Sequence, residues 1–100
     1  MAIPAASDDI SVTHNRPDHR FETRVDGQLS VCEYRINGRQ MEFTHTFVPS
    51  ELRGRGIAEK LVRAALGTAR DEGYAVVPSC SYVDAFIRRH VEYQPLLDRR

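Results

Sequence analysis

The sequence has 100 residues, with 14 basic and 14 acidic side chains and no formal net charge at pH 7. That length supplies one small hydrophobic core. The balanced charge argues against a protein that binds nucleic acid through overall basicity, so any phosphate affinity must come from a local site. The two cysteines are too few for a disulfide framework, and neither has the spacing of a metal site.

The first nine residues have neither the basic start nor the apolar stretch of a signal peptide. Their Ala, Pro, Ser and Asp content predicts a disordered tail over 1–9, followed by one domain over 10–97. No apolar run approaches the roughly 20 residues of a membrane-spanning helix. We therefore expect a soluble, cytoplasmic protein with reduced thiols.

Residues 10–48 carry the signals of strands joined by tight turns. Asp26-Gly27 and Asn37-Gly38 are both typical of two-residue type I′ turns, in which both central residues need a positive φ. If both turns form, this half of the chain is a four-stranded antiparallel meander.

The two turns also predict the register of the strands. The first places Phe21 opposite Cys32, and the second places Cys32 opposite Phe43. These three apolar residues would form one row across the sheet. The second turn also places Ser30 opposite His45.

An amphipathic helix is predicted after the meander. Its apolar residues recur at a helical spacing and are Ile57, Ala58, Leu61, Val62, Ala65, Leu66 and Ala69. Gly73 stands where a C-terminal cap belongs. The short apolar run 74–77 then predicts a buried strand.

A second helix is predicted to begin at Ser81, whose side chain can cap it. Val83, Phe86 and Ile87 give this helix an apolar face, and Pro95 is expected to end regular structure. The predicted fold class is α+β (mixed α/β), with the antiparallel meander followed by helix, strand and helix.

The junction between the meander and the first helix is a short basic loop. Gly54 and Gly56 let the backbone approach a ligand closely, and the helix N-terminus beyond them presents free N–H groups. Arg53 and Arg55 add charged donors. The loop therefore favours a phosphate or pyrophosphate ligand, the alternative being a plain turn with solvated arginines.

This pattern resembles the GNAT superfamily of acyl-CoA-dependent N-acetyltransferases. Arg53, Gly56 and Ala58 match its signature of Arg or Gln, two residues, Gly, one residue, then Gly or Ala. The segments 45–49, 77–82 and 89–93 are similar to those of a miniature GNAT-like branch, which lacks the two helices that follow the first strand in larger members. Val91 departs from the proline expected in many relatives.

The resemblance implies a binding site for coenzyme A. The loop would hold the pyrophosphate of coenzyme A, and the end of the preceding strand would contact the pantetheine arm with its backbone. The residues implied are Thr46, Phe47, Val48, Arg53, Gly54, Arg55, Gly56, Ile57 and Ala58. Acetyl-CoA would be a substrate, and no metal is implied.

Three side chains are candidates for the chemistry of acetyl transfer. His45 is expected to share a face with Phe43 and Phe47 and suits a general base, the alternative being a core histidine bonded to Ser30 or Thr23. Cys80 lies at a strand-to-helix junction, where a helix N-terminus lowers a thiol pKa and the sulfur is expected to be exposed. It could act as a nucleophile or contact the pantetheine sulfur. Tyr82 could protonate a departing thiolate, the alternative being a packed tyrosine with its hydroxyl at the surface.

Two further titratable residues are assigned structural roles. Cys32 is expected to be a small core residue between two phenylalanines. Glu42 is expected to face away from that row, opposite Glu33, on a solvated charged surface that Arg35 could neutralise.

The leading hypothesis is an acetyl-CoA-dependent N-acetyltransferase, with an amine acceptor that could be a small molecule or a protein amine. The alternative is a module that binds coenzyme A with weak or no catalysis. A nucleic-acid-binding role is disfavoured because no aromatic platform accompanies the arginines.

Overall fold

The computed structural model describes residues 10–98, so the predicted tail over 1–9 lies outside the described residues. Its five strands form one sheet in the order β1-β2-β3-β4-β5. The strands are β1 Thr13–Asn15, β2 Arg20–Val25, β3 Gln28–Asn37, β4 Gln40–Phe47 and β5 Ala75–Pro78. The helices are α1 Ile57–Glu72 and α2 Ser81–Arg89, with short 3₁₀ segments at Ser50–Leu52 and Val91–Leu96.

The predicted fold class and element order are confirmed. Strands β1 to β4 are antiparallel neighbours, and β5 pairs with β4 in parallel after the α1 crossover. The first predicted hairpin is also confirmed. Asp26 and Gly27 both have positive φ, of 53° and 75°, and Phe21 pairs with Cys32.

The second hairpin turn was predicted one residue too early. Asn37 pairs with Gln40, so Gly38 and Arg39 are the central residues. Gly38 has a φ of 60°, whereas Arg39 is not among the residues with positive φ. A positive φ at the first central residue alone is the requirement of a type II′ turn, which glycine meets without a Cβ clash. Asn37 therefore remains in the strand.

A β-bulge further changes the predicted register. Tyr34 pairs with Phe43, but Glu33 pairs with His45, so Thr44 is an extra residue in β4. The predicted opposition of Cys32 to Phe43, and that of Ser30 to His45, was therefore wrong. Residues beyond a bulge exchange faces.

The exchange of faces determines which side chains reach the core at the end of β4. Thr46 pairs with Cys32, and their side chains lie on the side of the sheet that the two helices cover, which we call the inner side. His45 is exposed on the opposite side, so the prediction that it shares a face with Phe43 was wrong.

Both helices pack on the inner side of the sheet. The predicted stripe of α1 is confirmed, since six of its seven residues are buried and Ala58 packs against them. Val83, Phe86 and Ile87 of α2 join the same core. The Arg63 guanidinium of α1 lies 5.3 Å from the centroid of the Phe86 ring, which brings the two helices together.

The ends of the helices are mostly as predicted. Gly73 caps α1 with a φ of 78°. Cys80, not Ser81, is the N-cap of α2, and no side chain caps that helix. Pro95 lies inside the second 3₁₀ segment, so the prediction that it ends regular structure was wrong. A proline fits there because 3₁₀ geometry shares its φ.

Within residues 10–98, no helix is both long and apolar enough to cross a membrane.

Candidate functional site

The candidate site lies where β4 extends beyond the end of its neighbour β5. The pairing of β4 with β5 ends at Phe43 and Pro78, but β4 continues to Phe47. The chain then turns from β5 into α2, and the backbone N–H of Cys80 donates to the Phe43 carbonyl at 2.8 Å. Beyond this bond the two elements separate. A free strand edge therefore faces the start of α2.

A cavity of about 440 Å³ occupies this region. Eight of the nine residues predicted to bind coenzyme A line it; the exception is Arg55. Tyr82 also lines the cavity. The full lining consists of Thr46, Phe47, Val48, Leu52, Arg53, Gly54, Gly56, Ile57, Ala58, Glu59 and Tyr82.

The glycine loop and the first turn of α1 form one wall of the cavity. Gly54 and Gly56 have φ of 84° and 80°, in the left-handed region that favours glycine. Gly56 is the N-cap and provides no side-chain capping bond. The first helical bond in the chain here runs from the Lys60 N–H to the Gly56 carbonyl. The backbone N–H groups that precede Lys60 in the first turn of α1 have no carbonyl acceptor within the helix. They are therefore available to an anion.

The two loop arginines have different roles. The Arg53 Nε donates to the Val48 carbonyl at 3.0 Å, which joins the loop to the end of β4 beside the cavity. Arg55 turns away and pairs with Asp26 of the first hairpin, with Nη1 and Oδ2 2.9 Å apart. Arg53 therefore shapes the cavity, whereas Arg55 anchors the loop.

Cys80 occupies the predicted junction, but its environment differs from the prediction. Its side chain is buried, with 9% of the residue exposed, so the expected exposed sulfur was wrong. Its Sγ lies 3.5 Å from the Thr46 Oγ1. The Thr46 hydroxyl also contacts the Cys32 Sγ at 3.8 Å. Thr46 therefore lines the cavity, and Cys80 lies behind it.

The burial of Cys32 confirms that it is a core residue, although Thr46 and not Phe43 lies opposite it on β4. Cys32 has no exposed surface, and burial raises the pKa of its thiol to about 12. Such a thiol is not ionised near neutral pH and is a poor nucleophile.

Tyr82 and His45 lie in contrasting positions. Tyr82 reaches the cavity from the first turn of α2, and burial raises the pKa of its hydroxyl. His45 is outside the cavity lining, on the outer side of β4. The predicted catalytic residues Cys80, His45 and Tyr82 thus surround the end of β4 without sharing one cavity wall.

Glu42 does not lie opposite Glu33, contrary to the prediction. The corrected register places it opposite Arg35, with 3.1 Å between the Arg35 Nη2 and the Glu42 Oε1. The Ser79 hydroxyl donates to its other oxygen at 2.5 Å. The bond from Ser79, followed by that from Arg35, lowers the pKa of Glu42, which confirms the expected neutralisation by Arg35.

Sequence reasoning missed the side chain of Thr46 and the participation of Leu52 and Glu59. Leu52 and Glu59 flank the loop and could have been included by proximity in sequence. The inward turn of Thr46 depends on the bulge at Thr44, for which the sequence has no glycine or other local signal. Across residues 10–98, no three His, Cys, Asp or Glu side chains are grouped as a metal site would require.

Comparisons with known proteins identify the family. Residues 20–96 match the family described as GCN5-related N-acetyl-transferase. The chain is 33% identical over 84 residues to the protein NATD1 of Bos taurus, a match that covers 81% of this chain and 74% of that one. It is 43% identical over 51 residues to human N-acetyltransferase 8, covering 51% of this chain but only 22% of that protein.

A solved structure has the same fold. The solution NMR structure of a GCN5-like protein from Staphylococcus aureus superimposes with a TM-score of 0.72, covering 90% of this chain and 89% of that one at 24% identity. This protein is a member of the GCN5-related N-acetyltransferase family.

Proposed function

We propose that the protein transfers an acetyl group from acetyl-CoA to an amine. The observation that carries this proposal is the cavity between the end of β4 and the start of α2, because the predicted coenzyme A residues converge on it. Family membership supports the same reaction class. The cavity is also within the size range of small-molecule sites.

In this proposal, the pyrophosphate and the pantetheine arm of coenzyme A are bound by different parts of the cavity wall. The pyrophosphate would accept hydrogen bonds from the amides between Gly54 and Glu59, where the dipole of α1 favours negative charge. The pantetheine arm would lie along β4 from Thr46 to Val48, because its amides can pair with the strand edge that β5 leaves free.

The thioester would then lie near Thr46 and Tyr82. Acetyl transfer needs the leaving sulfur to be stabilised or protonated as the carbon–sulfur bond breaks. A tyrosine hydroxyl is protonated at neutral pH, and burial raises the pKa of Tyr82 further, so Tyr82 can donate a hydrogen bond to the leaving sulfur. Cys80 supports the orientation of the Thr46 hydroxyl in this arrangement.

A module that binds coenzyme A with weak or no catalysis is the second candidate. One observation favours it: the cavity lining contains neither histidine nor cysteine, and its titratable side chains are those of Arg53, Glu59 and Tyr82. Among the described residues, Glu59 is the one carboxylate of the lining, and it is paired with Arg63, so a histidine base for the acceptor amine would have to come from outside the cavity wall.

Native mass spectrometry and calorimetry test binding, and release of free thiol from acetyl-CoA in the presence of amines tests transfer. Micromolar binding with amine-dependent thiol release is the result expected for an acetyltransferase. Binding without amine-dependent release would assign the module role instead. Absence of any binding to coenzyme A would overturn both candidates.

A further inference from the structure

A second cavity lies at the opposite end of α1 from the glycine loop. It has a volume of about 160 Å³ and is lined by residues of the β1–β2 loop, the β3–β4 hairpin and the C-terminal end of α1. Within residues 10–98, its lining shares no residue with that of the first cavity. The 16 residues of α1 separate the two cavities by roughly 24 Å. The second cavity is therefore a separate site, which the proposed acetyl transfer does not use.

Two apolar side chains of the β3–β4 hairpin line the second cavity. Ile36 and Met41 pair across the hairpin, so their side chains lie on the same side of the sheet. Met41 is buried in the core, whereas Ile36 is 40% exposed. Met41 therefore forms an apolar floor, and Ile36 forms an apolar wall that is open to solvent.

Three rings also contribute to the lining, namely those of His19, Tyr34 and Tyr74. The centroids of the His19 and Tyr34 rings are 5.7 Å apart. The Tyr34 hydroxyl is held in place by the Nε2 of His14, at 2.6 Å. Because aromatic rings favour stacked and edge-to-face contacts with one another, these walls suit a planar aromatic ligand.

An ion pair lies at the edge of the second cavity. Arg16 donates to both carboxylate oxygens of Glu72, with 3.2 Å from Nη1 to Oε1 and 2.5 Å from Nη2 to Oε2. The bond from Arg16 lowers the pKa of Glu72, so the carboxylate is charged at neutral pH. The two charges offset each other, and a charged ligand would have to compete with one of them.

The ion pair retains hydrogen-bonding capacity on both sides. A guanidinium has five N–H donors, and a carboxylate has about four acceptor positions. The two bonds between Arg16 and Glu72 therefore leave donors on one and acceptor positions on the other. A ligand that presents an acceptor and a donor side by side can bind both residues without separating them.

We propose that the second cavity binds a neutral, single-ring aromatic carboxamide. A cavity of about 150 Å³ accommodates benzene, so this one holds the ring, against Tyr34, Tyr74 and Met41. The amide lies at the exposed edge. Its carbonyl oxygen accepts from Arg16 and its N–H donates to Glu72, because a primary amide presents both groups on one side. A carboxylate in this position meets Glu72, and an ammonium meets Arg16, so both bind less tightly.

Four single-ring probes test this class in NMR titrations of the isotope-labelled full-length protein. Benzamide is the neutral amide, acetophenone lacks the N–H, benzoate is an anion, and benzylamine is a cation at neutral pH. Benzamide should bind with a Kd of about 1 mM or tighter, as expected for a ligand of this size. Each of the other three should bind at least threefold more weakly. The shifted backbone signals should belong to residues 16–19, 34–41 and 72–75, not to the loop 53–58.

Ile36→Trp should abolish the binding of benzamide, because its larger side chain fills the cavity from the exposed wall. Val91→Trp is the matched control. Val91 is another aliphatic residue, 70% exposed, and it lies outside the described lining, so this variant should bind benzamide as the wild type does. Both variants should keep the wild-type affinity for coenzyme A.

Glu72→Leu tests recognition of the amide separately from the space available. This variant removes the acceptor for the ligand N–H, so benzamide should lose its advantage and bind no tighter than acetophenone. Persistence of the wild-type preference in Glu72→Leu would overturn the role of the ion pair.

The order of the probe affinities decides the ligand class. Tightest binding by benzoate or by benzylamine would show that one charge acts alone and would overturn the neutral class. Equal affinities for benzamide and acetophenone would overturn amide recognition. Benzamide shifts confined to the loop 53–58, or no saturable shifts up to about 10 mM, would overturn the site itself. Since the second cavity is separate from the first, these results do not depend on whether coenzyme A binds.

Discussion

The Thr46 hydroxyl oxygen lies 3.5 Å from the Cys80 sulfur, across 34 positions of sequence. This contact joins the end of β4 to the start of α2 at the inner end of the cavity. It also buries the sulfur, because Thr46 stands between Cys80 and the open space. The residue that would meet a ligand here is therefore the threonine.

Both thiols should react slowly with iodoacetamide in the folded protein. Cys80 is 9% exposed and Cys32 is fully buried with a raised pKa, so Cys32 should be the slower of the two. Peptide mass spectrometry after timed alkylation gives the two rates, and alkylation in 6 M guanidinium chloride is the control. Labelling of native Cys80 as fast as free cysteine would contradict this burial.

The loop arginines should contribute unequally to coenzyme A binding. Arg53 lines the cavity and bonds to the Val48 carbonyl, so Arg53→Ala should weaken binding by about 1–2 kcal/mol. Arg55 is paired with Asp26 outside the lining, so Arg55→Ala should cost less than about 0.5 kcal/mol. Calorimetric titration of both variants measures the difference, and equal losses would show that Arg55 also reaches the ligand.

The sequence predicts the fold well where local rules decide the structure. Apolar spacing predicts α1, and Asp26-Gly27 sets the first hairpin and its register. The glycines and the basic charge of the loop 53–58 predicted an anion-binding site. In the structure, Arg53, Gly54 and Gly56 of this loop line the cavity. These features depend on neighbours in sequence, so a pattern of a few residues is sufficient to predict them.

Other features depend on contacts that no local pattern encodes. Asn37-Gly38 and Gly38-Arg39 both satisfy a hairpin rule, and pairing with Gln40 selects the second. The bulge at Thr44 shifts the register between Glu33 and Tyr34 of the neighbouring strand, and no local sequence pattern marks it. Because of the bulge, the His45 side chain points outward and the Thr46 side chain points inward. These orientations are the reverse of those predicted from the sequence.

Enlarging Gly54 should block coenzyme A without unfolding the protein. Gly54 lines the cavity at φ +84, and a Cβ added there meets no atom within 4 Å. Gly54→Val therefore adds backbone strain of about 1–2 kcal/mol and places its methyl groups where the phosphate would lie. Calorimetry should detect no binding, and circular dichroism should report an unchanged fold.

Gly27→Val is the matched control for that variant. Gly27 has a similar φ of +75, also with nothing within 4 Å of an added Cβ, but it lies in the first hairpin turn. The two variants should lose similar stability in urea unfolding, while only Gly54→Val loses binding. Retention of wild-type affinity by Gly54→Val would rule out anion binding at this loop.

The stability of the fold should begin to fall below about pH 6.5 because of His14. Its ring stacks on Phe21 with centroids 4.1 Å apart, and its Nε2 lies 2.6 Å from the Tyr34 hydroxyl oxygen. Burial, followed by the nearby charge of Arg16, lowers the pKa of His14 below its ordinary value of 6.5. The unfolded chain therefore binds a proton at a higher pH than the folded one.

The direction in which stability changes with pH follows from that difference in proton binding. The full contribution of a neutral His14 is present above pH 6.5, and it decreases as the pH falls through that value towards the lowered folded pKa. Urea unfolding midpoints between pH 7.5 and 5.0 measure the decline, in a range above the ordinary carboxylate pKa of 4.5. In His14→Gln the unfolding midpoint should vary less with pH over this range than it does in the wild type. An equally steep decline in His14→Gln would place the acid sensitivity on another group.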